Sequence, residues 1–365
     1  MKILYFITGL GGGGAEKVVV DLANRMYHLG HQVKIAYLKS PVVVSPNNEN
    51  IELVHIGLEN VQDALTAYKN YKKLITAFQP DIVHAHMVHA NIFARIARKF
   101  TPIPKLICTA HSNNEGGRLR MLAYKLTHRE SELTTNVSKA ACESFELLGA
   151  VPKGQIRTVY NGIDLDKFKF KPQAYKSIRS NLNIDSDAKL FLAVGRFHKA
   201  KDYLNLIKAF YLLVQRQRTS NNCPVLIIAG EGEERSEIEA AITNYELSNN
   251  VKLLGRRDDI VDLMSAADFF VLSSVYEGFG LVVAEAMACE TFVVATNCGG
   301  VKEVMGGHGL LAPIQNSDLL AEQLIKAMSM DETIVKQNNL NALEHVKKNF
   351  DLDKITKQWL EIYAV

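Results

Sequence analysis

The stretch Lys2-Ile3-Leu4-Tyr5-Phe6-Ile7-Thr8-Gly9-Leu10-Gly11-Gly12-Gly13-Gly14-Ala15-Glu16 decides the fold class. Lys2–Thr8 is a short apolar run of the kind that parallel sheets bury on both faces. Five glycines in the next six positions permit a tight turn and close backbone approach. Behind them Val18, Val19, Leu22, Ala23 and Met26 share one helical face, so 15–29 reads as an amphipathic helix. Strand, glycine turn and helix make one βα unit.

Outward from there the alternation repeats. Gln32–Leu38, Asp81–His84, Lys105–Ala110 and Ile156–Tyr160 read as strands, and 59–78, 88–100 and 138–148 as helices. A second series begins at Lys189, with strands at 190–194, 225–229, 251–254, 269–273 and 292–296. Its helices fall at 203–217, 233–246, 258–267, 280–288 and 317–330. The stretch 165–188 has no strong period and many Lys, Asp and Asn residues, and reads as a linker. The pattern predicts an α/β protein of two Rossmann-like domains, 1–166 and 167–349, with a cleft between them. Ligands in such sheets bind at the carboxyl ends of the strands.

Length agrees, since 365 residues exceed one ordinary core. With 47% apolar and 22% charged residues, disorder, collagen and coiled coil are excluded. A net charge of +3 makes no global case for nucleic acid. Residues 1–166 hold 19 Lys+Arg against 14 Asp+Glu, whereas the remainder hold 23 against 25, so the halves differ in electrostatic character. No apolar run reaches the roughly 18 residues of a spanning helix. Residues 1–7 have the look of a short signal peptide, but no plausible cleavage site follows them, and the chain is expected inside the cell. Cysteines at 108, 142, 223, 289 and 298 are odd in number and lack CxxC spacing, so neither a disulfide nor a zinc site is expected.

Three loops carry the chemistry. The first is GxGxxG at Gly9, Gly11 and Gly14, where a helix N-terminus offers free N–H groups to an anion. A dinucleotide site also needs an acid at the end of the second strand. Leu38, Lys39 and Ser40 stand there, which weakens an NAD reading and leaves the plain tight turn open. The second loop follows 190–194 and holds Gly195, Arg196 and Lys201, with Asp202 placed to cap the next helix. Arg and Lys in one βα loop can clamp a diphosphate; taken alone they are equally read as solvated charges. The third loop, Ser274-Val275-Tyr276-Glu277-Gly278-Phe279-Gly280-Leu281-Val282-Val283-Ala284-Glu285, sets two acids eight residues apart across a helix start. Along a helix that is roughly 12 Å. Glu285 lies in an apolar helix, where an unpaired carboxylate is expensive, and a hydroxyl-rich ligand or a backbone partner would satisfy it.

Glu277 and Glu285 in this string match the E-x7-E motif of retaining GT-B glycosyltransferases, and the whole chain resembles glycosyltransferase family 4. Gly13–Glu16, Thr109-Ala110-His111, Asn161-Gly162-Ile163-Asp164, Val194-Gly195-Arg196 with Lys201, Gly230-Glu231-Gly232 and Leu254-Gly255-Arg256 fit in order over nearly the full length. No one string is decisive; the ordered set is specific for the family and not for its substrate.

The resemblance implies a GT-B architecture whose C-terminal helix, within 350–365, crosses back to the first domain, with Trp359 as an anchor. It also implies a nucleotide diphosphate sugar as donor, held mainly by the second domain. UDP is the commoner nucleotide among similar proteins, with GDP and ADP open. Arg196 and Lys201 would hold the diphosphate and neutralise the leaving group. Glu285 would bind ribose. Glu277 would bind sugar hydroxyls, with Gly278 and the amides of Phe279, Gly280 and Leu281. Gly230 and Glu231 would belong to the same site, and Arg256 would lie near the base. From the first domain, Gly12 and Gly13 would close over phosphates and His111 would contact the sugar. Catalysis would thus rest on His111, Arg196, Lys201 and Glu277, with retention of anomeric configuration. No metal and no cofactor beyond the donor is expected, since no DxD string stands in a convincing loop context, and Asp185-Ser186-Asp187, which spells DxD, reads as a linker turn.

The first domain is the expected acceptor side, for a glycan or lipid-linked acceptor in surface polysaccharide, lipopolysaccharide or related synthesis. Tyr68–Lys73 interleaves basic and aromatic residues. Arg95, Arg98 and Lys99 sit among Ile92, Phe93, Ile96 and Phe100, and Arg118, Arg120 and Lys125 follow. These stretches suit peripheral contact with an anionic inner membrane at its cytoplasmic face. Solvated outer helix faces account for them equally. A nucleotide-sugar epimerase or a non-catalytic nucleotide-sugar-binding subunit on the same fold are the alternative readings.

Overall fold

The structure is a computed structural model that describes residues 1–217 and 224–364. Met1–Gly162 and the segment from Leu352 form one unit, and Ile163–Asp351 the other. The divisions expected at 166 and 350 therefore lie at Gly162 and Leu352.

The first unit is a parallel seven-stranded sheet of order β3-β2-β1-β4-β5-β6-β7. Its strands are β1 (Lys2–Leu10), β2 (Gln32–Val42), β3 (Glu52–His55), β4 (Ile82–His86), β5 (Lys105–Ala110), β6 (Leu133–Asn136) and β7 (Ile156–Thr158). Helices α1 (Gly14–His28), α2 (Ala64–Phe78), α3 (Val88–Arg98), α4 (Arg118–Thr127) and α5 (Lys139–Leu147) connect them. Leu4, Phe6, Val83, Ala85, Leu106 and Cys108 of the strands pack against Tyr71, Leu74, Ala90 and Ala94 of α2 and α3. Apolar residues at consecutive positions are what a sheet covered on both faces requires.

The second unit is a parallel six-stranded sheet of order β10-β9-β8-β11-β12-β13. Here α6 (Pro172–Asn181) precedes β8 (Leu190–Val194), α7 (Tyr203–Gln217), β9 (Val225–Ala229), α8 (Arg235–Asn244) and β10 (Val251–Gly255). Then come α9 (Ile260–Ala266), β11 (Phe269–Leu272), α10 (Leu281–Ala288), β12 (Phe292–Thr296), α11 (Val301–Met305), β13 (Leu310–Ala312), α12 (Ser317–Ser329) and α13 (Glu332–Asn349). Phe191 stacks on Phe269 at 4.9 Å and meets Phe210 edge-on at 5.7 Å, centring this core between β8, β11 and α7.

The stretch read as a linker is not one. It holds α6, whose Arg179 donates to the Asp268 carboxylate at 2.7 Å and to the Ala188 carbonyl at 2.8 Å. Only Ala174 and Ile178 of its apolar residues are buried, too few to stand out among its Lys, Ser and Asn residues.

The last helix, α14 (Leu352–Ala364), belongs to the first unit. Trp359 lies 4.4 Å from the His84 ring, and Tyr363 Oη is 2.7 Å from His84 Nδ1. Lys105 Nζ donates to the Tyr363 carbonyl at 2.9 Å, at the helix C-terminus where the macrodipole favours a cation. Cys108, Cys142, Cys289 and Cys298 are buried and in no disulfide, and Cys223 lies outside the described residues.

Candidate active site

Strand order reverses between β8 and β11 in the second sheet. The loops after those two strands flank this switch point, where open α/β sheets bind ligands. They carry Lys201 and Glu277, whose Nζ and Oε1 lie 2.5 Å apart. Ser274 Oγ donates to the same oxygen at 2.7 Å. The two loops are also joined through backbone: Val275 N–H donates to the Ala200 carbonyl at 2.8 Å, and Ser273 Oγ to that of Lys201 at 2.7 Å. Thr296 Oγ1 at the end of β12 donates to the Ser274 carbonyl at 2.6 Å, fixing the loop from below. Both charges are largely covered, with 23% of the Lys201 and 14% of the Glu277 side chain exposed. A pair so held is preorganised, which an exposed pair is not.

Glycines let the neighbouring loop approach. A Cβ on Gly230 would overlap the Gly195 carbonyl oxygen, and one on Gly232 the Phe197 carbonyl. Phe197 N–H donates to the Glu231 carbonyl at 2.9 Å, so Glu231 contributes backbone here while its exposed carboxylate pairs with Arg235. Tyr203 Oη donates to the Gly195 carbonyl at 3.1 Å. Asp202 accepts from the Asn205 N–H and caps α7, although burial raises its pKa. Arg196 is 70% exposed and pairs with Glu233 at 2.9 Å. Arg256 is exposed.

The run from Glu277 to Glu285 is helical only from Leu281, so the helical spacing expected across all eight residues does not hold. Gly280 stops it: with φ of 93° it stands in the left-handed region and ends an irregular loop that contains Gly278. The N–H groups of Leu281 and Val282 open α10 without a partner inside the helix, whereas that of Val283 donates to the Gly280 carbonyl at 2.9 Å. Phe279 turns its ring into the core, 5.2 Å from Phe350, which leaves backbone to the loop. Glu285 is 7% exposed on α10. Burial, then Glu277, push the Cys298 thiol up to about 12, so it is an inert apolar neighbour.

In the first unit β1 runs to Leu10, two residues beyond the expected end, with a register shift between Gly9 and Leu10. Gly12 has φ of 95° and is exposed, as are Gly11 and Gly13. The helix N-terminus expected to be free is partly occupied. Glu16 folds back so that its carboxylate accepts from the Gly13 N–H and its own, while burial raises its pKa.

His111 follows β5. Its Nε2 is 3.0 Å from Nδ1 of His86, and its N–H donates to Glu115 at 2.9 Å. Glu115 also accepts from Tyr124 of α4 at 2.5 Å. Burial pushes His111 down to about 4 and Glu115 up to about 6. Sequence reading missed His86, Glu115 and Ser274. The available signal for His86 was the pair His84-Ala85-His86 closing a strand, since the reading ended that strand at His84.

Burial removes Arg95 and Tyr71 from the basic stretches, while Lys69, Lys72 and Lys73 are exposed. Arg95 is wholly buried and donates to Thr134 at 2.6 Å. Arg98 pairs with Glu132, and Lys99 with Glu130 at 3.2 Å. Tyr71 lies in the core. Exposed apolar and basic residues coincide on α4, where Leu119, Leu122 and Leu126 are exposed at 82%, 49% and 74% beside Arg118, Arg120 and Lys125. Among the described residues, no group of three or more His, Cys, Asp or Glu is placed to hold a metal ion. No helix among them is long and apolar enough to cross a membrane.

Comparison with known proteins agrees with this layout. Residues 175–342 match the model of group 1 glycosyl transferases, and residues 12–167 that of Glycosyltransferase Family 4. N-acetyl-alpha-D-glucosaminyl L-malate synthase of Bacillus anthracis is 26% identical, over 96% of this chain and 93% of that protein. N-acetylgalactosamine-N,N'-diacetylbacillosaminyl-diphospho-undecaprenol 4-alpha-N-acetylgalactosaminyltransferase of Campylobacter jejuni is 27% identical, over 99% and 98%. The crystal structure of Anabaena HepE with UDP and glucose superposes with a TM-score of 0.85 at 23% identity, over 100% of this chain and 99% of that one, and shows the GT-B fold. With both units matched in order, the chain belongs to the group 1 glycosyltransferases of family 4.

Proposed function

We propose that this chain is a retaining, metal-independent glycosyltransferase. It moves a hexose-type sugar from a UDP-sugar to a hydroxyl of a lipid-linked or glycan acceptor in surface polysaccharide, lipopolysaccharide or related synthesis. The observation that carries the reading is the Lys201–Glu277 pair at the switch point of the second sheet. Two comparisons support the substrates: the Campylobacter relative is named for a diphospho-undecaprenol acceptor, and the Anabaena structure holds UDP.

In this mechanism Lys201 meets the diphosphate, and Arg196 exchanges Glu233 for a phosphate oxygen. Both charges offset what builds on the leaving group as the bond from the anomeric carbon to oxygen breaks. Glu285 takes ribose hydroxyls. Glu277, oriented by Ser274, takes sugar hydroxyls and is not a nucleophile. The acceptor oxygen bonds to the same face through an oxocarbenium-like state, and the departing β-phosphate oxygen takes its proton. Positioning supplies most of the rate. No cofactor beyond the donor takes part.

The test is transfer from a panel of UDP-sugars to a polyprenyl-diphosphate glycan in EDTA, with the new linkage read by NMR. The expected result is an anomer-retained product, and a loss of about 10²–10³-fold in kcat for Lys201→Ala. An inverted product removes the retaining assignment, and loss of activity in EDTA removes metal independence. Equal turnover by Lys201→Ala removes the site.

The exposed leucines and cations of α4 support peripheral contact of this helix with an anionic bilayer. Flotation with anionic vesicles is expected, and is expected to weaken when Leu119, Leu122 and Leu126 are replaced by Ser. No flotation of the native chain overturns the membrane contact.

A further inference from the structure

His86 ends β4, and β4 lies between β1 and β5 in the sheet. It is 1% exposed, its Nδ1 is 3.0 Å from His111 Nε2, and its own Nε2 is buried with no partner. Neighbouring groups do not relieve that nitrogen. His84, 4.0 Å away between ring centres, has both nitrogens engaged, with Tyr363 Oη and Thr109 Oγ1, each at 2.7 Å. The chain leaves His86 through Met87, whose φ of 70° and ψ of 159° are a conformation that side chains rarely adopt. Such a residue persists only where its surroundings over-determine it. Here the Met87 N–H donates to the Thr109 carbonyl at 3.1 Å, and Asn91 Nδ2 to the same carbonyl at 2.9 Å. The ends of β4 and β5, and with them His86 and His111, are thereby held in register.

Burial keeps both rings neutral at pH 7. A neutral imidazole has one donor and one acceptor nitrogen, so the contact has two forms. If His111 donated from Nε2, His86 would carry its proton on Nε2, as a buried N–H without a partner. If His86 donates from Nδ1, its Nε2 keeps only a bare lone pair, the less costly orphan. His111 then accepts on Nε2 and carries its proton on Nδ1. That Nδ1 has no hydrogen bond and is not among the fully buried unpartnered atoms, so it is left open to a ligand.

We infer that His86 is a positioning residue that fixes His111 as its Nδ1–H tautomer, so that His111 presents a hydrogen-bond donor to an oxygen of the bound donor sugar. The inference rests on the proposed function only in the identity of that oxygen. His111 is then neither a base nor a charged group in the reaction, and its ring is aimed by a residue that never touches substrate.

The test uses the full chain with nitrogen-15 histidine, in which imidazole nitrogen shifts separate protonated from bare nitrogens at neutral pH. In the native protein His111 is expected to be protonated on Nδ1. His86→Leu removes the donor and the contact that aims the ring, and kcat is expected to fall about tenfold, the value of one hydrogen bond. In His86→Asn the side-chain amide stands where Nδ1 stood, and is expected to restore the hydrogen bond to His111 and most of kcat. Protonation of native His111 on Nε2, or an unchanged kcat in His86→Leu, overturns the inference. Should His86→Leu fail to fold, the native spectrum and His86→Asn decide it alone. An Nδ1–H His111 whose removal in His111→Ala leaves transfer unchanged upholds the tautomer and overturns its contact with the sugar.

Discussion

Three histidines at the carboxyl ends of β4 and β5 make the first unit sensitive to acid. Burial holds His84 and His86 well below the ordinary range and His111 down to about 4. Unfolded histidines take protons near 6.5, so these three contribute stability that is present above that pH and lost as pH falls toward the folded values. Glu115 works the other way: raised to about 6, it costs stability as pH climbs from its unfolded value. Three groups outweigh one, so the melting temperature is expected to fall between pH 6.5 and 4.5, and less steeply in His111→Gln. In the second unit Arg179 is 4% exposed and shares Asp268 with the Leu190 N–H. Arg179→Leu strands that carboxylate, and urea unfolding is expected to show a loss of about 3 kcal/mol. Candidate site residues were legible where acids recur along one loop and helix, as Glu277 and Glu285 do. They were illegible where partners meet only in space: nothing near residue 111 points to position 86, and nothing near 179 to 268.

Elements were legible in proportion to their apolar period. The first strand and helix announce themselves, because a strand covered on both faces must be apolar throughout. β6 did not, because it reads Leu-Thr-Thr-Asn and satisfies its buried hydroxyls through Arg95 and Thr109. α13 buries only Ala342 and Val346 of its 18 residues, too little for a periodic signal. α14 is the opposite case, with Ile355, Trp359, Ile362 and Tyr363 all buried. Trp359→Ala is expected to cost the first unit about 3–5 kcal/mol, read by denaturant unfolding, because the indole covers the His84 ring and little else can fill its place.

At the scale of the whole molecule, two units with separate cores are expected to melt in two calorimetric transitions. UDP at 100 times its dissociation constant should add about 2.7 kcal/mol to the transition of Ile163–Asp351 alone. A shift confined to the other transition would place the nucleotide in the first unit. The first unit is also discontinuous, and its order of synthesis follows from that. β1 to β7 leave the ribosome about 190 residues ahead of α14. At about 5–20 residues per second that is a wait of about 10–40 s. Throughout it Tyr5 and His84 lack the helix that covers them, while the intervening unit is being made and becomes whole only at its end. A nascent chain halted before residue 352 therefore carries one finished body beside one with an open flank, the form that chaperones and proteases would meet first.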